Sequence, residues 1–224
     1  MIFIPSPNFA PRESPVEFLV LHYTGMKTAQ AAIDLLRDPA AEVSAHYVVD
    51  EDGTITQLVE EQNRAWHAGL SYWRGRAALN DSSIGIEIVN PGHEWGYRAF
   101  PPAQIAAVIA LCQAILARHP IPARNVVAHS DIAPTRKRDP GELFPWPALA
   151  RHGVGLWTDE FTPGGELLPD LARLGYDITQ PAAAVITAFQ RHFLPHNLSG
   201  QADAPTTARA RALRQLVDPA ARSG

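Results

Sequence analysis

The sequence predicts an α/β fold, a central mixed β-sheet flanked by helices, followed by a small three-helix domain. Three observations carry that prediction. Apolar, β-branched runs of strand length alternate with stretches of helical periodicity through the first two thirds of the chain. An Asp-Gly turn joins two strand-like runs and so adds an antiparallel pair to the sheet. Beyond a Gly-rich, irregular stretch, only helical patterns remain.

In order along the chain, Val16–Tyr23 reads as a central strand with His22 near its end. Ala29–Arg37 reads as a helix stopped before Pro39. Ser44–Asp50 and Thr54–Val59 flank Glu51-Asp52-Gly53 as a hairpin, and Ser83–Val89 forms the next strand. A helix follows over Pro102–Arg118, then a short strand Val126–His129 that delivers His129 at its end. These assignments define a first domain over 1–153 and a linker over 154–165. Three helices within 166–218 follow: Leu167–Leu174, Ala182–Phe193 and Thr206–Leu216, with a frayed end expected from Asp218. About 55 residues lie near the lower limit for independent folding, so docking on the first domain would help them.

Composition narrows the function classes. The 224 residues are 46% hydrophobic and 19% charged, with a net charge of −4. A general electrostatic attraction to nucleic acid is therefore not expected. The single cysteine, Cys112, excludes an intramolecular disulfide and reads as a small buried residue of a helix. No apolar run approaches the roughly 20 residues of a membrane span. The N-terminus shows no basic segment followed by an apolar run, so a cytoplasmic location is expected; a chain whose leader had been removed would look the same and face the periplasm.

The densest chemistry lies in Ala128–Gly141, where His129 and Asp139 stand either side of Pro134 and an Arg-Lys-Arg run. Pro134, Pro140 and Gly141 forbid a continuous helix, so the two residues must sit on a shaped loop. His22 ends another strand. Alone, each of the three reads first as a rim or turn residue; together, two imidazoles and a carboxylate suit a three-ligand zinc site with an open fourth position. Glu87 lies in the apolar run Ile84–Val89. It is either on an exposed strand face by alternation or a general base whose apolar setting raises its pKa. Lys137, two residues before Asp139, is either solvated or able to stabilise a developing oxyanion. Trp66 and His67, in Arg64–Gly69, are candidates for a groove wall, and Arg136 for a substrate carboxylate. His46 reads as buried and hydrogen-bonded near the site rather than as a ligand, while His93, His119, His152, His192 and His196 read as surface or packing residues.

These segments together resemble the zinc-dependent N-acetylmuramoyl-L-alanine amidases of the type-2 amidase family. The matching pieces are Leu21–Thr24, Ser44–Gly53, Ala65–Gly69, Ser83–Glu87, Ala128–Pro134 and Lys137–Gly141, six motifs in the expected order across about residues 15–150. The resemblance implies one Zn²⁺ per chain held by His22, His129 and Asp139, with Glu87 as catalytic carboxylate and Lys137 as oxyanion-stabilising group. Some relatives use Cys where this chain has Asp139. Some phage members carry a catalytic Tyr where this chain has Ala45, so the chain resembles the Glu-dependent branch. The C-terminal helices resemble a peptidoglycan-binding domain through Leu174–Asp177 and Val185–Phe193.

The implied reaction is hydrolysis of the amide between the lactyl group of N-acetylmuramic acid, or its 1,6-anhydro form, and L-alanine, in cell-wall recycling or turnover. The implied partner is peptidoglycan or an anhydro-muropeptide. The main alternative is a peptidoglycan recognition module without catalysis, which would be marked by loss of a ligand, and no ligand is missing here. A zinc peptidase of the His-Glu-x-x-His class is disfavoured because that motif is absent.

Overall fold

The computed structural model describes residues 1–218. The expected fraying from Asp218 falls, apart from that residue, outside the described residues. The fold is α/β around a six-stranded mixed sheet. Its strands, in chain order, are β1 (Ile2–Phe3), β3 (Phe18–Tyr23), β4 (Tyr47–Val49), β5 (Ile55–Gln57), β9 (Ser83–Ile88) and β10 (Val126–Ala128). Between them lie β2 (Phe9–Pro11) paired with β6 (Asn63–Ala65), and the small ribbon β7 (Tyr72–Trp73) with β8 (Arg76–Ala77). The spatial order is β1-β5-β4-β9-β3-β10, and only the β4–β5 hairpin is antiparallel. The Asp50–Gly53 turn that the sequence marks does close this hairpin, with Gly53 donating its N–H to the Asp50 carbonyl at 2.9 Å.

Helices cover both faces. They are α1 (Ala29–Arg37), α2 (Gly92–Trp95), α3 (Pro102–Arg118), α4 (His129–Ile132), α5 (Trp146–Ala150), α6 (Leu167–Leu174), α7 (Ala182–Phe193) and α8 (Ala204–Val217). The Thr28 side chain caps α1, accepting from the Ala31 N–H. Pro102 opens α3 at a position where its missing N–H costs nothing. Strand alternation divides the core. Leu19, Leu21, Ile84, Ile86 and Ile88 pack with Val108, Cys112 and Ile115 of α3 on one face. Phe18, Val20 and Val127 pack on the other with Leu171, Val185, Phe189 and Leu213. The C-terminal helices therefore share a continuous apolar core with β3 and β10. On the same face, Ile33 and Leu36 of α1 pack against Val48 of β4, leaving a gap between α1 and the C-terminal half of the chain.

One local expectation changes. His129 does not end a strand; the strand stops at Ala128 and His129 opens the one-turn helix α4. Its loop setting is thus partly helical, because Pro134 lies far enough downstream to allow one turn. Of the histidines expected at the surface or in packing, His192 is a packing residue, buried and hydrogen-bonded to Asp131, while His93 and His119 face Glu142 and Glu61. Among the described residues, no helix is long and apolar enough to cross a membrane.

Candidate metal centre and groove

Strand register brings the first two candidates together. Residue 22 follows Phe18 and Val20 on the face away from α3, and the β3–β9 pairing sets His22 opposite Glu87. On the far side of β3, Ala128 pairs with Leu21, so His129 leaves the sheet one residue later beside His22. The chain then loops back. The Ser130 N–H donates to the Asp139 carbonyl at 3.0 Å, which closes the loop at the base of both side chains. Gly141 has φ of +88° and a Cβ there would lie 2.2 Å from the Tyr97 hydroxyl oxygen, so only glycine fits the turn. Tyr97 in turn donates to the Pro140 carbonyl at 2.9 Å.

The three donors converge. His22 Nδ1 lies 2.9 Å from His129 Nδ1 and 3.1 Å from Asp139 Oδ2. His129 Nδ1 lies 2.9 Å from the same carboxylate oxygen. All three side chains are buried. A tetrahedral ion with 2.0–2.1 Å bonds needs donors about 3.3 Å apart, so the triangle is close to zinc dimensions.

The outer ring nitrogens decide the tautomers. His129 Nε2 faces the Ala68 carbonyl at 3.3 Å, and a carbonyl only accepts, so Nε2 carries the hydrogen. Ser83 donates its hydroxyl to the Leu79 carbonyl at 2.6 Å. His67 Nε2, 3.3 Å from Ser83 Oγ, must then be the donor, which leaves His67 Nδ1 to accept from His22 Nε2 at 3.0 Å. Both Nδ1 lone pairs therefore point at each other and at a carboxylate. That arrangement is repulsive without a cation between them, and it fits a divalent metal. Burial, with His129 adding to it, pushes the His22 imidazole down to about 4. Burial and then His22 push His67 well below its ordinary value. Burial pushes Asp139 up, but the bonds and charges of His129 and His22 outweigh it and hold this carboxyl well below the usual range.

A groove of about 610 Å³ opens over this centre, bounded by α1 on one side and the Arg136–Asp139 segment on the other. Glu87 lies in it, with Oε2 inaccessible and without a hydrogen-bond partner among the described residues. Burial, then the nearby Asp139, raises its pKa well above the ordinary value, with Lys137 pulling the other way. Alternation does place Glu87 opposite the core isoleucines, but the face it occupies is the groove rather than open solvent. Lys137 and Trp66 line the same groove. His67 borders it too, but its ring is largely buried behind His22, so its contacts orient an imidazole rather than form a wall. Arg136 is at the rim, with its guanidinium on the carbonyls of Ala68 and Leu70.

His67, Ser83 and Asp131 were not given these contacts by sequence reasoning. One signal existed: a glycine inside a strand marks a close approach. A Cβ on Gly85 would lie 2.4 Å from the His67 ring.

The sequence model of the N-acetylmuramoyl-L-alanine amidase family matches residues 12–142. The chain is 44% identical to the N-acetylmuramoyl-L-alanine amidase AmiD of Escherichia coli (strain K12), over 88% of this chain and 82% of that one. It is 36% identical to the 1,6-anhydro-N-acetylmuramyl-L-alanine amidase AmpD of Salmonella typhimurium (strain SL1344), over 66% of this chain and 91% of that one. The structure of E. coli AmiD in complex with the substrate anhydro-N-acetylmuramic acid-L-Ala-D-gamma-Glu-L-Lys superposes with a TM-score of 0.82 at 42% identity, covering 95% of this chain and 93% of that chain.

Proposed function

The chain belongs to the N-acetylmuramoyl-L-alanine amidase family, and from that premise we propose how its residues carry out the hydrolysis. The enzyme cleaves the amide between the lactyl group of N-acetylmuramic acid, including the 1,6-anhydro form, and the L-alanine of the stem peptide. We assign His22, His129 and Asp139 as the holders of one Zn²⁺. The observation that carries this assignment is the pair of Nδ1 lone pairs and one carboxylate oxygen, all within 3.1 Å of one another. When bound, zinc supplies Lewis-acid chemistry, acidifying a water and polarising the amide carbonyl.

The protein's own groups do the rest. Glu87, with its raised proton affinity, takes the proton of the attacking water as the water oxygen bonds to the carbonyl carbon. Lys137 donates to the carbonyl oxygen as negative charge develops on it. When the carbon–nitrogen bond breaks, Glu87 returns the proton to the departing L-alanine nitrogen. The products are the lactyl carboxylate and a stem peptide with a free α-amine. His67 and the Ala68 carbonyl hold the two imidazoles in the tautomers the metal needs. Trp66 walls the groove, and Arg136 fixes the 68–70 segment at a rim where a stem-peptide carboxylate can pair with it. Residues 1–153 form the catalytic unit and 166–218 a helical unit joined to it by 154–165.

Glu87→Gln is the test. It should leave zinc bound while turnover of a soluble anhydro-muropeptide falls by about 10²–10⁴-fold. Hydrolysis at the unaltered rate would remove Glu87 from the mechanism. Running the same assay on intact sacculi separates soluble from polymeric substrate.

A further inference from the structure

Two consecutive residues of α7 reach the loop that bears two of the three ligands. An acid follows each ligand in that loop: Asp131 after His129, and Glu142 after Asp139. His192 Nδ1 donates to Asp131 Oδ2 at 2.7 Å, with both side chains almost wholly buried. Arg191 Nε donates to Glu142 Oε2 at 3.3 Å.

Each acid passes the contact onward. Asp131 Oδ2 also accepts the N–H of Ala128, the residue immediately before His129, at 2.9 Å. Asp131 Oδ1 accepts from the Tyr176 hydroxyl at 2.7 Å. Glu142 lies 3.1 Å from His93 Nε2, and His93 Nδ1 lies 2.9 Å from the hydroxyl of Tyr23, the residue immediately after His22. Short side-chain paths thus connect α7 to Ala128 and Tyr23, the neighbours of His129 and His22, and to Glu142, three residues after Asp139.

Stability alone does not account for this arrangement. The His192 ring is stacked between Trp146 and Phe193 at 3.8 Å from each. In such a setting a buried carboxylate and its hydrogen-bond partner add little or nothing over apolar residues of similar shape. What their contact supplies is a fixed position for Asp131. The family match ends at residue 142, so both α7 residues lie outside the segment that defines the family.

We infer that Arg191 and His192 are positioning residues. Through Glu142 and Asp131 they hold the 129–142 loop so that His129 and Asp139 keep the spacing a metal requires. The inference rests on the zinc assignment made above. It gives the C-terminal helices a role at the metal centre that is independent of any ligand they bind themselves.

The experiment uses the full chain and the metal alone. Zinc affinity is measured by chelator competition, and the Co²⁺-substituted protein by its visible spectrum, for Arg191→Met, His192→Phe and the double variant. His192→Phe keeps the stack and removes only the bond to Asp131. Thr206→Ala, which breaks the buried Gln190–Thr206 bond between α7 and α8, is the stability control. The expected result is about tenfold weaker zinc binding for each clamp variant, more for the double, with altered Co²⁺ bands. Thr206→Ala should lower the melting temperature and leave zinc affinity within about twofold, the scatter of such a titration. Clamp variants that bind zinc as tightly as the unaltered chain, with the same Co²⁺ spectrum, overturn the inference. If His192→Phe does not fold, Tyr176→Phe removes one hydroxyl from Asp131 and should show a smaller weakening of the same sign; unchanged affinity there overturns the inference equally. An unaltered chain that binds no zinc overturns the metal assignment itself, a separable outcome.

Discussion

At the scale of single residues, the centre is a set of donors whose protons are already placed. His22 is the clearest case. Its Nδ1 is left with a free lone pair because Nε2 donates to His67, and His67 is committed in turn through Ser83 to the Leu79 carbonyl. His67→Phe fills the same space and removes the acceptor, so zinc affinity should fall about 10–100-fold in a competition titration. Unchanged affinity would mean that the tautomer of His22 is fixed by something else. Asp139→Asn replaces the only anionic donor and should cost more, leaving less than one zinc per chain in metal analysis of the purified protein. That His22, His129 and Asp139 converge was legible in the sequence, as residue types that suit zinc set in motifs of a familiar order. The contacts of His67 were not, because nothing in Ala65–Gly69 shows that the ring turns inward against Gly85 of β9.

Elements explain why the donors meet. Parallel pairing of β10, β3 and β9 places His129, His22 and Glu87 side by side at the same ends of adjacent strands, where ligands of α/β sheets commonly bind. Periodicity made β3, β9, α1, α3, α6 and α7 readable, because each has a continuous apolar face. The two-residue strands and the one-turn helices α2 and α4 carry no such period. They are held by tertiary contacts, as where Asp131 turns back onto the Ala128 N–H. Gly85 is the element-scale test. Its substitution by Ala drives a Cβ into the His67 ring from the middle of β9. Gly85→Ala should destabilise the protein by about 1–3 kcal/mol in urea unfolding and weaken zinc as His67 is displaced. A variant of unaltered stability and affinity would show that the ring has room to move.

For the whole molecule, the sequence suggests a helical unit too small to be stable alone that gains by docking on the first, and the packing between them is continuous. Phe18, Val20 and Val127 of the sheet lie in one apolar cluster with Leu171, Phe189 and Leu213 of the helices. Their helical periodicity reveals an apolar face; it does not reveal which surface receives it. The buried polar network also sets an acid limit to stability. Burial pushes the His46 imidazole from an ordinary 6.5 down to about 3. As pH falls below 6.5 the unfolded chain takes up a proton that the folded one refuses, so stability is lost progressively toward pH 3. Burial opposes ionisation of Glu61, but hydrogen bonds from Arg118, Tyr47 and His119 outweigh it and hold its pKa at about 2 against an ordinary 4.5. A second loss therefore runs from about pH 4.5 down to 2. Thermal scans should show the melting temperature falling through both windows, and Glu61→Gln should flatten the lower one. A melting temperature constant from pH 7 to 4 would contradict this reading.

The most direct test of the central claim is mass spectrometry of an anhydro-muropeptide incubated with the purified protein, before and after zinc removal by a chelator and again after zinc is restored. The account predicts two products, the sugar bearing its lactyl carboxylate and a stem peptide with a free L-alanine amine, formed only while zinc is present. Cleavage at a bond within the peptide, or full activity in the zinc-free protein, would contradict it.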